Sequence, residues 1–248
     1  MHIVDLSLPI NRHMTGIPKI GEYDDNPTRC VVLTALSEDH VGRLSADGLE
    51  TVPDPDITHH MMSRVEIVTH IGTHIDAPAH FIENGDTIDQ VPLEKIVKKG
   101  RIVPLTDTEP GGPVTADAVL ATGVEIDASI IPILHTGWTE KTWGTDDFWD
   151  NMTYLDTSIS ELMIERGVSA VAIDCFPEIP FWRDGMERDT SKPPGPNHRA
   201  LLGNNTIIIQ MLTNISAIVG EDNFTLVAVP LRLEGLDGSP ARVFAMVG

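Results

Sequence analysis

Cysteines and long apolar runs are both scarce in this chain of 248 residues. Its two cysteines, Cys30 and Cys175, are too few for a disulfide framework. No apolar run reaches the roughly 18 to 20 residues that a membrane-spanning helix needs. The N-terminus lacks the basic start and long apolar stretch that are typical of a secretory signal. We therefore expect a cytoplasmic protein with two buried thiols.

Basic residues are scarce as well. The chain has 17 lysines and arginines against 37 acidic residues, which gives a formal net charge of -20. A charge of this sign repels nucleic acid phosphates and anionic membrane surfaces at long range. We therefore expect neither nucleic acid nor a membrane as a partner.

The length and composition predict a single domain over residues 1–248. Apolar residues make up 41% of the chain and charged residues 22%, which is typical of a globular protein. Predicted strands outnumber predicted helices and many connections are long, so we expect an α/β fold with mixed sheets and flanking helices. Residues 11–60 contain many glycines and prolines and predict loops around one strand near Cys30, of the kind that form lids or subunit contacts.

Three local patterns give further predictions. Gly100 should end a short helix before the next strand begins. Ser158 should be the N-cap of a helix, because a glutamate follows three residues later. Pro132 lies within the apolar run 129–135, which predicts a strand at a sheet edge or a strand with an irregularity.

One short segment is rich in metal-binding side chains, with His70, His74, Asp76 and His80 falling within eleven positions. Residues two apart in an extended segment point the same way, so His74 and Asp76 should share a face. Gly72 favours a turn that lets His70 reach the same place. Imidazole nitrogens and a carboxylate oxygen suit Zn²⁺, Mn²⁺ or Fe²⁺ and leave coordination positions open for water and substrate.

This cluster fits a catalytic metal site better than a structural one. A structural zinc site takes four protein ligands, usually including thiolates, and neither cysteine lies nearby in the sequence. His80 follows the rigid Pro78, where it can act as the base that takes or returns a proton. The alternative is that these histidines are hydrogen-bonded structural residues.

Residues 70–81, HIGTHIDAPAHF, closely resemble the HxGTHxDAPxHF signature of the metal-dependent cyclase family, which includes bacterial arylformamidases and isatin hydrolases. The resemblance extends to residues 5–10, 89–93 and 230–242. It implies a swivelling β/β/α domain that assembles as a homodimer or homotetramer. By position, it also implies that His70, His74 and Asp76 are the metal ligands, and it makes His80 the catalytic histidine.

A distal pair of residues, His198 and Gln210, distinguishes this chain from the arylformamidases. In those enzymes a histidine and a glutamate twelve positions later complete a second zinc site, and the matching positions here hold His198 and Gln210. A neutral amide cannot offset the repulsion between two cations, so we expect one divalent ion per chain. The resemblance to isatin hydrolases favours Mn²⁺, with Zn²⁺ as the alternative.

The same comparison gives the distal pair a role at the substrate. His198 is predicted to hold a substrate carbonyl or oxyanion, and Gln210 to orient the attacking water or to act as a neutral ligand. The alternative is a structural hydrogen-bonded pair between a loop and a strand.

These expectations together predict a metal-dependent hydrolase that opens a small cyclic amide such as isatin by attack of metal-bound water. His80 would move a proton to the leaving nitrogen. Phe81, the tryptophans at 138, 143 and 149, and the N-terminal loops should form an apolar pocket. The alternatives are an arylformamidase acting on N-formylkynurenine, a lactone or lactam hydrolase, an Fe²⁺ enzyme that activates oxygen, and a metal-dependent binding protein.

Overall fold

The computed structural model describes residues 1–11, 13–18, 31–36, 43–44, 51–52, 62–186, 190–191 and 193–248. The strands are β1 (His2–Asp5), β2 (Val31–Leu36), β3 (Arg43–Leu44), β4 (Thr51–Val52), β5 (Met62–Ile67), β6 (His74–Asp76), β7 (Val97–Pro104), β8 (Pro113–Val114), β9 (Ile130–His135), β10 (Tyr154–Leu155), β11 (Ala170–Ile173), β12 (Ile207–Gln210), β13 (Phe224–Pro230) and β14 (Gly238–Val247). The helices are α1 (Leu93–Ile96), α2 (Ala116–Ala121), α3 (Trp138–Thr142), α4 (Asp147–Asp150), α5 (Thr157–Glu165) and α6 (Pro196–Gly203). Among them, none combines the length and apolar character that crossing a bilayer demands.

The main sheet has eight strands in the order β1-β14-β13-β7-β9-β11-β12-β6. An additional pairing of β14 with β6 closes the sheet on itself. Neighbours from β7 to β12 are parallel, whereas β1, β13, β14 and β6 pair antiparallel, so the sheet is mixed. The predicted α/β class with mixed sheets is therefore confirmed.

Three two-stranded sheets are not hydrogen-bonded to the main sheet through the described strands. They are the antiparallel pairs β2–β5 and β3–β4 and the parallel pair β8–β10. The predicted strand near Cys30 corresponds to β2, while Cys30 itself and most of residues 19–61 lie outside the described residues. The chain runs from β5 into the histidine cluster, so this short sheet leads directly to the candidate site.

The central parallel strands β9, β11 and β12 are buried on both faces, which explains their largely apolar sequences. In β11, Ala170 and Ala172 belong to one apolar cluster, whereas Val171 and Ile173 belong to a second cluster. The second cluster also includes buried residues of the helices that cover this face, namely Val119, Ile159, Leu162, Met163, Leu201 and Leu202. The alternation has the period of two that is expected for a strand. The central strands of the sheet therefore separate two apolar clusters.

Three local predictions were wrong in part, two of them because contacts distant in sequence decide the structure. Gly100 does not end a helix; it lies inside β7, where a Cβ atom would overlap the ring of Phe224. Pro132 is not at an edge, since β9 lies between β7 and β11, and the pairing with β11 begins one residue later. The N-cap of α5 is Asp156, whose side chain accepts a hydrogen bond from the backbone N–H of Ser158.

Candidate metal centre

The turn before β6 shapes the histidine cluster. Gly72 has a φ of 58°, in the left-handed region that favours glycine, and a Cβ atom there would lie 2.5 Å from Met14 Cε. The next side chain, Thr73, donates from Oγ1 to Met211 O at 2.7 Å and accepts from Leu8 N at 2.9 Å. The turn is thus fixed to the N-terminal segment and to the residue after β12. The three residues that follow the turn, His74–Asp76, form β6 and pair with β12 and β14.

The register of the sheet brings distant residues to β6 from both sides. Gln210, the last residue of β12, is the partner of His74, and Gly238, the first residue of β14, is the partner of Asp76. Asp237 directly precedes Gly238 and therefore lies next to the end of β6 that carries Asp76. The predicted site thus combines a local motif with the ends of two neighbouring strands.

The carboxylate of Asp76 is the centre of the cluster, and the residue is completely buried, at 0% exposure. Its Oδ1 lies 2.7 Å from His70 Nδ1 and 3.3 Å from His74 Nε2. Its Oδ2 lies 3.4 Å from His198 Nε2 and accepts a hydrogen bond from Gln210 Nε2. The sequence-predicted residues of the motif and of the distal pair therefore meet around one carboxylate.

Each of the three imidazoles that face Asp76 has its second ring nitrogen held by another oxygen of the protein. The pairs are His70 Nε2 with Asp237 Oδ2 at 2.8 Å, His74 Nδ1 with Gly72 O at 2.7 Å, and His198 Nδ1 with Glu178 Oε1 at 2.8 Å. Such outer partners fix the orientation and tautomer of metal-binding histidines and raise their basicity. In His70 and His74, the nitrogen that faces Asp76 is then the one available to a cation.

His80 lies beside this group and has a different environment. It is the last residue of a short 3-10 turn, Pro78–His80, and its Nδ1 lies 3.2 Å from Asp237 Oδ2. The ring stacks on that of His70 with a centroid distance of 3.8 Å. Of its two nitrogens, only Nδ1 forms a hydrogen bond with the described residues. Nε2 is therefore the nitrogen that can exchange a proton.

The donor set fits a divalent cation. One donor atom each from His70, Asp76 and His80 lies within 4.8 Å of the other two, and His74 offers a further nitrogen next to Asp76. Imidazole nitrogen and carboxylate oxygen around a buried acid are the ligands that Zn²⁺ and Mn²⁺ take in proteins. The predicted ligands His70 and Asp76 belong to this group of three donor atoms. That His74, and not His80, is the third ligand stays a prediction.

Charges within the cluster shift the pKa values of its members. Burial disfavours the charged form of His70, but the charge of Asp76 and hydrogen bonds with Asp237 and Asp76 outweigh it and raise its pKa to about 9. Burial acts in the same way on His198, where hydrogen bonds with Asp76 and Glu178 raise the pKa to about 9. Burial lowers the pKa of His80. A cation bound to this cluster competes with the protons on His70 and His198.

The raised pKa values of His70 and His198 predict how the stability of the metal-free protein depends on pH. Their stabilising effect is fully present below pH 6.5, the ordinary histidine pKa, and is lost as pH rises through about 9. We expect the free energy of unfolding of chelator-treated protein, measured by urea denaturation, to fall over this interval. Added Mn²⁺ should stabilise the protein more at the higher pH, because the ion then displaces fewer protons. A metal-free stability that rises between these pH values would contradict the proposed pairing.

An aromatic cavity opens beside the cluster. It is lined by Thr15, Gly16, Ile17, His70, Ile71, Gly72, His74, Trp143, Phe148, Trp149, Phe176, Gln210 and Met211. Its volume of about 20 Å³ holds roughly one water molecule, so a ring-shaped ligand requires the aromatic side chains to move. Phe81 does not line this cavity; its ring stacks on His198 with a centroid distance of 4.5 Å. Of the expected pocket residues, Trp143, Trp149 and part of the N-terminal segment line the cavity, whereas Trp138 does not.

Sequence reasoning missed two carboxylates of the site, Asp237 and Glu178. Asp237 lies in the segment between β13 and β14, outside the contiguous motif. Glu178 lies in a proline-rich loop, where it accepts hydrogen bonds from His198 N and Nδ1, both at 2.8 Å. The one available signal was the resemblance of residues 230–242 to the family. Neither residue has a local pattern that indicates its contact with a histidine.

Comparisons with known proteins identify the family of the chain. The chain matches the family model described as "Putative cyclase" over residues 4–177. A kynurenine formamidase from Bordetella petrii is 28% identical over 181 residues, which cover 73% of this chain and 78% of that protein.

Solved structures share the fold over almost the whole chain. Isatin hydrolase A from Ralstonia solanacearum has a TM-score of 0.77 at 20% identity and covers 100% of this chain and 92% of that chain. A protein described as a potential metal-dependent hydrolase with cyclase activity has a TM-score of 0.67 at 23% identity and covers 98% of this chain and 96% of that chain. These likenesses confirm the predicted fold. Because the family model spans well over half of the sequence, this chain belongs to the cyclase family.

Proposed function

We propose that this protein is a metal-dependent hydrolase that opens the amide bond of a small cyclic, isatin-like substrate. The observation that carries the proposal is that three imidazoles converge on the buried carboxylate of Asp76. The second ring nitrogen of each imidazole lies within hydrogen-bond distance of another protein oxygen. The names kynurenine formamidase and isatin hydrolase, borne by a relative and by a fold neighbour, both describe hydrolysis of an amide bond. The aromatic side chains beside the cluster, among them Trp143, Trp149 and Phe176, can stack on a flat ring once they move apart to admit it.

The residues of the cluster divide into three roles. His70, His74 and Asp76 hold the divalent cation. When bound, such a cation polarises a carbonyl group and lowers the pKa of a coordinated water. His80 transfers a proton from the attacking water to the leaving nitrogen, and His198 donates a hydrogen bond to the carbonyl oxygen as negative charge develops there.

We propose that the site takes a single ion, with Mn²⁺ preferred over Zn²⁺. The second carboxylate oxygen of Asp76, Oδ2, already accepts a hydrogen bond from Gln210 and lies 3.4 Å from His198 Nε2. The amide of Gln210 is neutral and cannot offset the charge of a second cation. The geometry at Oδ2 therefore supports one ion per chain.

A glutamate at position 210 should change the metal content. We expect the Gln210→Glu variant to bind two ions per chain, because a carboxylate there can share a second cation with His198 and Asp76. Metal content after dialysis, measured by plasma mass spectrometry, gives the ratio directly. Gln90→Glu adds the same charge at an exposed position and should keep one ion. Two ions in the wild-type protein would contradict the one-ion proposal.

A substrate panel tests the proposed activity. The Mn²⁺ and Zn²⁺ forms should be assayed with isatin, N-formylkynurenine, a simple imide, a lactam and a lactone. We expect ring opening of the cyclic amide to a carboxylate, with the highest kcat/KM for a planar aromatic ring. No turnover of any substrate by either form would leave a metal-dependent binding protein as the better description.

Hydrolysis of an open-chain formamide is the second candidate function. The relative named kynurenine formamidase favours it. Gln210, which stands where the resemblance places an acidic ligand of a second zinc ion, weighs against it. A higher kcat/KM for N-formylkynurenine than for every cyclic amide in the panel would select this candidate.

A further inference from the structure

We propose that Asp237 is a positioning residue that holds the imidazole of His80 with its proton on Nδ1, so that Nε2 is free to exchange a proton. The inference deepens the proposed function and rests on it, because it concerns the proton transfer of the same site. Asp237 lies outside the range that the family model matches.

The contacts of the Asp237 carboxylate carry the proposal. Its Oδ2 lies 3.2 Å from His80 Nδ1 and 2.8 Å from His70 Nε2. Its Oδ1 accepts a hydrogen bond from Thr69 Oγ1 at 3.2 Å. One oxygen thus contacts both a predicted metal ligand and the predicted proton-transfer residue. A carboxylate only accepts hydrogen bonds at neutral pH, so the ring nitrogens that face it carry the protons.

The backbone around Asp237 is fixed against the motif strand. Its carbonyl oxygen accepts a hydrogen bond from Ala77 N at 3.0 Å. Gly238 pairs with Asp76 in the sheet, and a Cβ atom on Gly238 would lie 2.6 Å from His70 Cε1. Only glycine allows this approach without a shift of the ring. The backbone position of Asp237 is therefore fixed by contacts that do not depend on its own side chain.

The proposed arrangement balances the protons of the reaction. The oxygen of water forms a bond to the carbonyl carbon and loses a proton to His80 Nε2. The C–N bond then breaks as Nε2 returns that proton to the leaving nitrogen, so water is added across the amide bond. Nδ1 keeps its proton throughout, and Asp237 stabilises the transient imidazolium without becoming protonated. The tautomer is set by the hydrogen bond at the other nitrogen.

The tautomer can be measured without any assay of activity. Nitrogen-15 NMR of the histidine rings in the Zn²⁺-loaded protein, assigned with a His80→Gln variant, reports which nitrogen carries the proton. We expect the His80 proton on Nδ1 in the wild-type protein and a large shift of the proton to Nε2 in Asp237→Ala. A proton on Nε2 in the wild-type protein, or no change in Asp237→Ala, would overturn the proposal.

Asp89→Ala is the matched control. Asp89 Oδ1 accepts hydrogen bonds from Gly235 N at 3.0 Å and from Thr87 Oγ1 at 2.7 Å, so it supports the same turn. Within the described part of the chain, no hydrogen bond or ion pair joins Asp89 to a histidine of the site. We expect this variant to keep the wild-type tautomer. The same tautomer shift in Asp89→Ala would attribute the effect to the turn and overturn a specific role for Asp237. Asp237→Asn provides a second variant of nearly unchanged shape, with a shift in the same direction expected.

Kinetics separate positioning from a structural effect. At saturating metal, Asp237→Ala should lower kcat for a lactam about 10- to 100-fold, the usual cost of losing such an outer partner, with little change in KM. The loss should be smaller for the lactone of the same ring, since its oxygen leaving group needs less protonation. Equal losses on both substrates would overturn the proposal. Absence of turnover in the wild-type protein would refute the proposed hydrolase, while the NMR result would still decide the position of the proton.

Discussion

Replacement of His80 with alanine should lower kcat for amide hydrolysis about 10²- to 10⁴-fold, the contribution usual for a general acid–base group. The chain should still bind one metal ion, because His70, His74 and Asp76 remain. The reason lies in the environment of His80, which contacts Asp237 through Nδ1 and keeps Nε2 free of hydrogen bonds to the described residues. Turnover and metal content should be measured on the same sample.

The two measurements on His80→Ala separate its two candidate roles. Loss of the metal ion would make His80 a ligand, in agreement with the group of three donor atoms within 4.8 Å, and would contradict a role in proton transfer alone. His74→Ala is the complementary variant and should lose the ion. His2→Ala, a change at an exposed histidine of β1, should leave both turnover and metal content unchanged.

Replacement of Asp76 with asparagine should abolish metal binding and with it the hydrolysis of every substrate. Asp76 is the residue that His70, His74 and His198 all face, and its two oxygens divide these contacts between them. An amide has one oxygen and no charge, so it cannot replace a carboxylate at the centre of the cluster. The loss of kcat should exceed the roughly 10- to 100-fold cost of removing an outer partner.

Asp174 offers a matched control for Asp76. It is also buried, at 1% exposure, but it accepts hydrogen bonds from the backbone N–H groups of Thr136 and Gly137 and from the hydroxyl of Thr136. Asp174→Asn should lower the free energy of unfolding and leave metal content unchanged. The two variants and the wild-type protein should be compared by the shift in Tm on adding Mn²⁺. The shift should vanish in Asp76→Asn and persist in Asp174→Asn. A retained shift in Asp76→Asn would remove Asp76 from the metal site.

The parts of this molecule that could be predicted from sequence are those encoded by neighbouring residues. The metal-binding motif is contiguous, so the convergence of His70, His74 and Asp76 follows from a turn at Gly72 and the period of a strand. The α/β class follows from short apolar runs such as 207–209, which are buried on both faces of the sheet. Such signals need no information about distant contacts.

The parts that could not be predicted depend on contacts between distant residues. Asp237 lies 157 positions from His80, and the pairing of β14 with β6 helps to bring them together. Glu178 and His198 meet because a loop after β11 folds over the start of α6. Gly100 was misinterpreted for the same reason, since the ring of Phe224 on β13 explains the glycine, and the end of a helix does not.

Titration of metal-free protein with Mn²⁺ while product carboxylate is measured tests the proposed function most directly. We expect no ring opening without the metal, a linear rise in activity with added Mn²⁺, and a plateau at one equivalent per chain. The plateau follows from the single carboxylate of Asp76 and from the neutral Gln210 at its second oxygen. Full activity in the chelator-treated protein, or a plateau at two equivalents, would contradict a one-metal amide hydrolase.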